Sequence, residues 1–299
     1  MGQKDYAQND YFKDKVRFAD VCNGILYQGQ SVIQPEELQE MDPDIVYYDD
    51  KNTLHKLIPD KVMMWKGLCV GIAGIESQTN VDYHMIFRIM KAEALSYDRQ
   101  WSELEKEYRR DGTLTEHAIF KWTTQGKESR FVPIIILVIY LGTDKEWDGA
   151  RCLYDMLDIS EELKPYVNNY KMNLFDYHNC DDFSIFKTEN RLMFETLACS
   201  GDKRKMKAFF KEKSHEYENL DITTKLLICD LLGFREDEFL KKRIKEGVNM
   251  CKAIEDWMDE GVLMLIRNLS TSQNISIDQA MEMLLIPEDD RERYTALLS

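Results

Sequence analysis

Apolar residues recur every three or four positions through residues 9–27, at Phe12, Val16, Ala19 and Leu26 with Asn23 in phase, which predicts an amphipathic helix. The breakers Gln34-Pro35-Glu36-Glu37 and Met41-Asp42-Pro43-Asp44 follow. Ile45-Val46-Tyr47-Tyr48 then reads as a short strand, ended by Asp49-Asp50-Lys51-Asn52. Two more strand-like segments, from Lys61 to Trp65 and from Val70 to Ile75, flank a glycine-containing turn. The next periodic stretch predicts a helix over 83–101, with Tyr83, Ile86, Phe87, Met90, Ala94 and Tyr97 on one face. Residues 132–141 are the most apolar run, rich in Ile and Val, and read as a central strand buried on both faces. A helix near 147–157 and a strand near 172–176 complete a mixed unit.

From about Phe183 onward the pattern is helical, with breaks at Gly201, Leu220-Asp221 and Gly233. The expected division is therefore a mixed domain over 1–182 and a helical region over 183–299. Between Ile244 and Leu269 a heptad-like seam runs through positions 248, 251, 258, 262 and 265, with a gap at Glu255. It has two readings of equal weight: packing on the tail helices of its own chain, or homodimer formation with a second copy.

Composition narrows the class. Hydrophobic residues at 44% and charged residues at 31% describe a soluble globular chain with a sizeable core, and no apolar run is long enough to cross a membrane. The first residues carry no apolar signal-peptide core. The seven cysteines include no Cys-x-x-Cys pair, so neither a disulfide framework nor a zinc ribbon is indicated, and a cytoplasmic location is expected. A net charge of −15 argues against extensive phosphate contact. The five histidines show no metal-ligand spacing.

The chemistry-bearing pattern is Pro59-Asp60 at the start of one strand-like segment and Glu76-Ser77-Gln78 at the end of the next. Residues i and i+2 of a strand share a face, so Glu76 and Gln78 project together. Two carboxylates beside a polar side chain make a hard-cation site suited to Mg2+ or Mn2+. Convergence depends on parity. With a tight turn at Lys66-Gly67, Asp60 pairs near Ala73 and Glu76 points to the opposite face. A longer turn through Cys69, or one bulge at Gly71 or Gly74, restores the match.

Several segments resemble the recombination-promoting nuclease / putative transposase family, a branch of the PD-(D/E)XK nuclease superfamily. They are Arg17-Phe18-Ala19-Asp20-Val21-Cys22-Asn23-Gly24, Gln34-Pro35-Glu36-Glu37-Leu38, and Gly74-Ile75-Glu76-Ser77-Gln78 with Tyr83, Arg88 and Tyr97. Tyr140-Leu141-Gly142 and Trp147-Asp148-Gly149 complete the set, over residues 10–200. The resemblance implies an α/β fold, a restriction-endonuclease-like mixed sheet flanked by helices, here with an all-helical C-terminal region. It implies a magnesium-dependent DNA endonuclease, with DNA as partner. The superfamily's aspartate falls on Asp60, its glutamate on Glu76, and its usual lysine on Gln78.

On that reading Asp60, Glu76 and the backbone carbonyl of Ser77 are the metal ligands, and Gln78 positions the attacking water. Asp20 either serves as an outer acidic residue or hydrogen-bonds backbone. Arg88 either reaches a phosphate or pairs with a nearby acid. Gln78 cannot supply the positive charge of a lysine. The alternative function is accordingly a weak or inactive family member acting as a nucleic-acid-binding or protein-interaction module.

Overall fold

The computed structural model describes residues 10–41, 45–48, 54–57, 61–75, 81–110, 131–234 and 238–298. The chain forms two compact units, Met1–Gly201 and Asp202–Ser299.

In the first unit, helix α1 (Lys15–Tyr27) is followed by strand β1 (Leu38–Met41) and the strands β2 (Ile45–Tyr48) and β3 (Leu54–Leu57). Next come β4 (Lys61–Trp65), β5 (Leu68–Ile75), the long helix α2 (Met85–Arg110), β6 (Ile134–Tyr140), β7 (Asn173–Asp176) and α3 (Glu189–Cys199). The main sheet has the order β1-β4-β5-β6-β7, and β2 and β3 form a separate two-stranded ladder. β1, β4 and β5 are antiparallel neighbours, whereas β5, β6 and β7 run parallel. The expected α/β class, a mixed sheet with flanking helices and a helical C-terminal region, is the one observed.

The run at 132–141 is central because both faces of β6 are covered. Ile136, Val138 and Tyr140 pack against Val81, Met85, Ile86, Ile89 and Ala92 at the start of α2. Leu137 and Ile139 are fully buried on the other face. Phe175, in register with Ile139, packs there against Phe186 and Phe194, with ring centroids 5.3 and 4.9 Å away. Gly24 of α1 is part of this contact. A Cβ at that position would lie 2.4 Å from the Phe186 ring, so only glycine lets the helix approach.

Three expectations change on the structure. The helix expected over 9–27 is interrupted: residues 10 and 11 are helical, 12–14 form a turn, and α1 starts afresh at Lys15, where Asp14 caps it by accepting from the Val16 and Arg17 amides. The buried stripe of α2 is Met85, Ile86, Ile89 and Ala92, while Tyr83, Phe87 and Met90 are exposed. The periodicity was present but its phase was set by the sheet. The helix expected near 147–157 is an irregular segment with one 3-10 turn at Leu153–Met156. Its backbone is diverted early, since the Trp147 amide donates to Asp176 and the Trp147 indole N–H to the Gly149 carbonyl.

α3 is tied into the first unit. Asn190 donates to Asp20 and to the Arg17 carbonyl, accepts from the Tyr11 hydroxyl, and Arg17 pairs with Glu189.

The second unit contains α4 (Lys203–Glu212), α5 (Ser214–Asn219), α6 (Ile222–Leu231), α7 (Glu238–Lys245), α8 (Met250–Gln273), α9 (Ile277–Met283) and α10 (Glu288–Leu298). The seam expected from Ile244 to Leu269 is not one helix, since Gly247 breaks it with φ +88°. On α8, Ile266 is buried among Ala280, Met281, Ile286 and Tyr294, with Val262 and Leu269 packed alongside. The self-packing reading therefore describes α8. Leu265, expected in the seam, is 57% exposed.

Half-buried Glu93 on α2 hydrogen-bonds Tyr170. Burial, the larger effect, raises its carboxyl above the usual range, and the hydrogen bond partly offsets this. A raised folded pKa means that the fold favours the protonated acid. Stability is then lost as pH climbs from the unfolded value of about 4.3 through the folded one. Glu93→Gln is expected to raise the thermal midpoint at neutral pH and to leave it unchanged below about pH 4. Thermal unfolding across pH checks this, and a less stable variant at neutral pH would refute it.

Candidate functional site

The hairpin that carries the candidate motif is closed by a two-residue turn. Lys66 and Gly67 both have positive φ, 45° and 78°, the signature of the twisted turn that suits a tight hairpin. The ladder runs from Trp65↔Leu68 to Lys61↔Ile72 without interruption. β5 continues unbulged against β6, from Cys69↔Ile134 to Ile75↔Tyr140. The longer turn or bulge expected from parity is therefore absent between Lys61 and Ile75. Gly67 takes one of the two positive-φ positions of the tight turn without strain, and the parallel pairing with β6 keeps β5 regular.

The β4–β5 ladder ends at Lys61↔Ile72, next to Asp60 but four residues before Glu76, and only the β5–β6 ladder runs on to Ile75. Asp60, Glu76, Ser77 and Gln78 lie outside the described residues. Antiparallel pairing nevertheless brings the start of β4 and the end of β5 to the same edge of the sheet. The C-terminal ends of β6 and β7 meet that edge too, with Ile75, Tyr140 and Asp176 in consecutive register. Lys61, the residue after Asp60, is buried with its ammonium 2.8 Å from Glu40. That contact holds Glu40 below the usual carboxylate range.

Asp20 and Arg88 are described, and both are engaged. Asp20 is buried, and its Oδ1 accepts from the Lys187 amide at 2.7 Å. Its Oδ2 accepts from the Thr188 amide, the Thr188 hydroxyl and the Asn190 side chain, at 3.1, 2.6 and 2.9 Å. Of the two readings, the structure favours the backbone brace. Asp20 fixes residues 187–190 and hence the start of α3. Asn23, one turn later, braces the loop after α1, accepting from the Val32 and Ile33 amides and donating to the Ile33 carbonyl. Arg88 pairs with Asp82, whose other oxygen accepts from the His84 amide at the entrance to α2. The guanidinium stays partly exposed, with 37% of the side chain accessible.

The edge also holds polar groups that lie outside the Pro-Asp and Glu-x-Gln pattern. Asp176, buried at the end of β7, accepts from the Trp147 amide, the His178 amide and the Asn179 side chain. Its Oδ1 also lies 2.8 Å from His178 Nδ1, which orients the imidazole. His178 stacks on Tyr177, with centroids 4.1 Å apart, and lies 6.1 Å from the Tyr140 ring. Burial first, and then the Asp176 charge, raise the Tyr140 phenol above its ordinary value. A search for metal-ligand spacing misses an Asp-x-His pair; the visible cue is its position directly after a predicted strand.

Among the described residues no group of three or more His, Cys, Asp or Glu is placed to hold a metal ion. Burial raises the thiols of Cys69 and Cys180, and pushes those of Cys229 and Cys251 up to about 12. None of these is poised as a thiolate nucleophile. No described helix is long and apolar enough to cross a membrane.

Residues 115–226 match a family model described as "Putative transposase, YhgA-like". Over those residues the chain is similar to that family. The match takes in β6, β7, α3, α4 and α5, less than half of the chain, and leaves Asp20, Asp60, Glu76, Gln78 and Arg88 outside it. No curated protein and no solved structure matches the chain.

Proposed function

We propose that this chain is a magnesium-dependent DNA endonuclease associated with recombination or mobile elements. The observation that supports this best is the placement of the hairpin, although its tight turn and unbulged ladder supply none of the distortion that convergence of Asp60 and Glu76 on one face requires, so that distortion has to lie outside Lys61–Ile75. The two arms of the hairpin lead from Asp60 and toward Glu76 at the one sheet edge where the parallel strands also end. The likeness of residues 115–226 to the transposase family adds a context of DNA processing.

The donor set, two carboxylates and a backbone carbonyl, is all hard oxygen and fits Mg2+ or Mn2+. Asp60, Glu76 and the carbonyl of Ser77 would hold the ion, which when bound supplies charge neutralisation and acidifies a coordinated water. Gln78 would orient that water through its amide. Arg88, partly exposed beside Asp82, would contact a flanking phosphate. Because the chain carries −15, DNA must enter through a small groove with few phosphate contacts.

Cleavage of plasmid and linear duplex with and without Mg2+ tests the proposal. Binding of an uncleavable duplex, with Ca2+ present and absent, tests the substrate. Affinity is expected to fall along a shallow line with salt, since the slope scales with the phosphates neutralised. Ca2+ should raise affinity by cancelling the charge of Asp60 and Glu76. No binding at low salt with Ca2+ would move the reading to a weak or inactive family member acting as an interaction module, which Gln78 and the acidic balance favour.

A further inference from the structure

Between β6 and β7 the chain makes an excursion that neither the sheet nor the nuclease reading requires. Its ends are pinned together. Cys152 and Lys171 form an antiparallel bridge, the Leu153 amide donates to the Tyr170 carbonyl at 2.8 Å, and the Met172 amide donates to the Arg151 carbonyl at 3.0 Å. A loop closed at its neck and filled by its own side chains is a compact Ω-type loop, a form often used for recognition.

The filling is specific. Tyr154 projects across the loop, and its hydroxyl lies 2.6 Å from both the Lys164 and the Val167 carbonyls. The Tyr154 amide donates to Asn169, and Asp155 accepts from the Arg151 and Cys152 amides. With its interior braced in this way, the loop places its larger apolar residues outside. Met156 is 36% exposed, Leu157 38%, Leu163 55% and Tyr166 85%. Leu163 and Tyr166, three residues apart at either end of one 3-10 turn, are the most exposed of them.

Charge selects the partner. Asp158, Glu161 and Glu162 are all exposed on the same loop. The nearby cation, Lys164, is drawn inward, paired with Glu161 and lying 5.7 Å from the Tyr154 ring centroid. Exposed Lys171 lies at the neck, and the exposed acids Asp158, Glu161 and Glu162 still leave the loop net acidic, which repels a phosphate backbone. The same charge also disfavours a second copy of a chain with net charge −15.

We infer that the loop from Cys152 to Lys171 is a docking surface for a cationic, apolar-faced segment of another protein. Leu163 and Tyr166 are the apolar anchors, and Asp158 and Glu162 the charges that select lysine and arginine. Preorganisation by Tyr154 means that little order has to be gained on binding.

The probe is a synthetic helix with leucines on one face and lysines on the other, titrated into the full chain. Saturable binding is expected. Leu163→Ser combined with Tyr166→Ser should weaken it at least tenfold, with the thermal midpoint unchanged because both side chains are exposed. Asp158→Asn with Glu162→Gln should weaken it and flatten its salt dependence. A peptide of the same composition with its leucines scattered should bind at least tenfold more weakly. Binding unaffected by the Leu163/Tyr166 variant, or no saturable binding, would overturn the inference. So would a dimer of the free chain that this variant dissolves, since the occupant would then be a second copy.

Discussion

Asp60→Ala and Glu76→Ala are each expected to abolish Mg2+-dependent cleavage of DNA, lowering the rate roughly a thousandfold or more. A metal-dependent hydrolysis loses several kcal/mol of transition-state stabilisation with its ion, and each ~1.4 kcal/mol is tenfold in rate. The fold should be spared. On the proposed site, removing one of two clustered carboxylates would relieve repulsion while no ion is bound, so the thermal midpoint should hold or rise slightly. Ca2+ should also lose its effect on duplex affinity in both variants, which separates loss of the ion from loss of the water-orienting group. Single-turnover cleavage at saturating Mg2+ is the measurement. A variant that cleaved as the parent does would remove Asp60 or Glu76 from the site.

The sheet was legible because its signals are local. Ile and Val dominate residues 132–141, and a strand buried on both faces needs that composition. At Lys66-Gly67 the sequence left a tight turn and a longer one both open, and the observed register takes the tight one. What could not be read were choices made by tertiary contact. Either stripe of α2 satisfies helical periodicity, and burial went to Met85, Ile89 and Ala92 because those meet β6. The segment after Trp147 has helix-compatible residues, yet buried Asp176 captures the Trp147 amide from across the sheet. At the candidate site, the pattern named two acids on two segments, and the topology brings those segments to one edge. The distortion that parity demands is not found between Lys61 and Ile75, where both ladders of β5 are regular, so convergence of Asp60 and Glu76 rests on the chain beyond those residues.

Asp20 gives the sharpest contrast between motif and role. It sits in the segment that carries the family resemblance, where an acid invites a catalytic reading, but both of its oxygens accept from residues 187–190. Asp20→Ala is expected to cost about 4 kcal/mol, because a buried donor left without its acceptor costs roughly 1–3 kcal/mol and the Thr188 hydroxyl can turn elsewhere. In a unit of this size that lowers the thermal midpoint by roughly 10 °C. Asp20→Asn should fall about halfway between. Its remaining carbonyl can still serve Thr188 and Asn190, while its amide meets the Lys187 N–H donor to donor. Urea unfolding of both variants, set beside cleavage by the fraction still folded, separates the roles. A brace predicts graded stability and near-normal turnover per folded molecule. An outer catalytic acid predicts full stability and a lost rate, and that outcome would return Asp20 to the site.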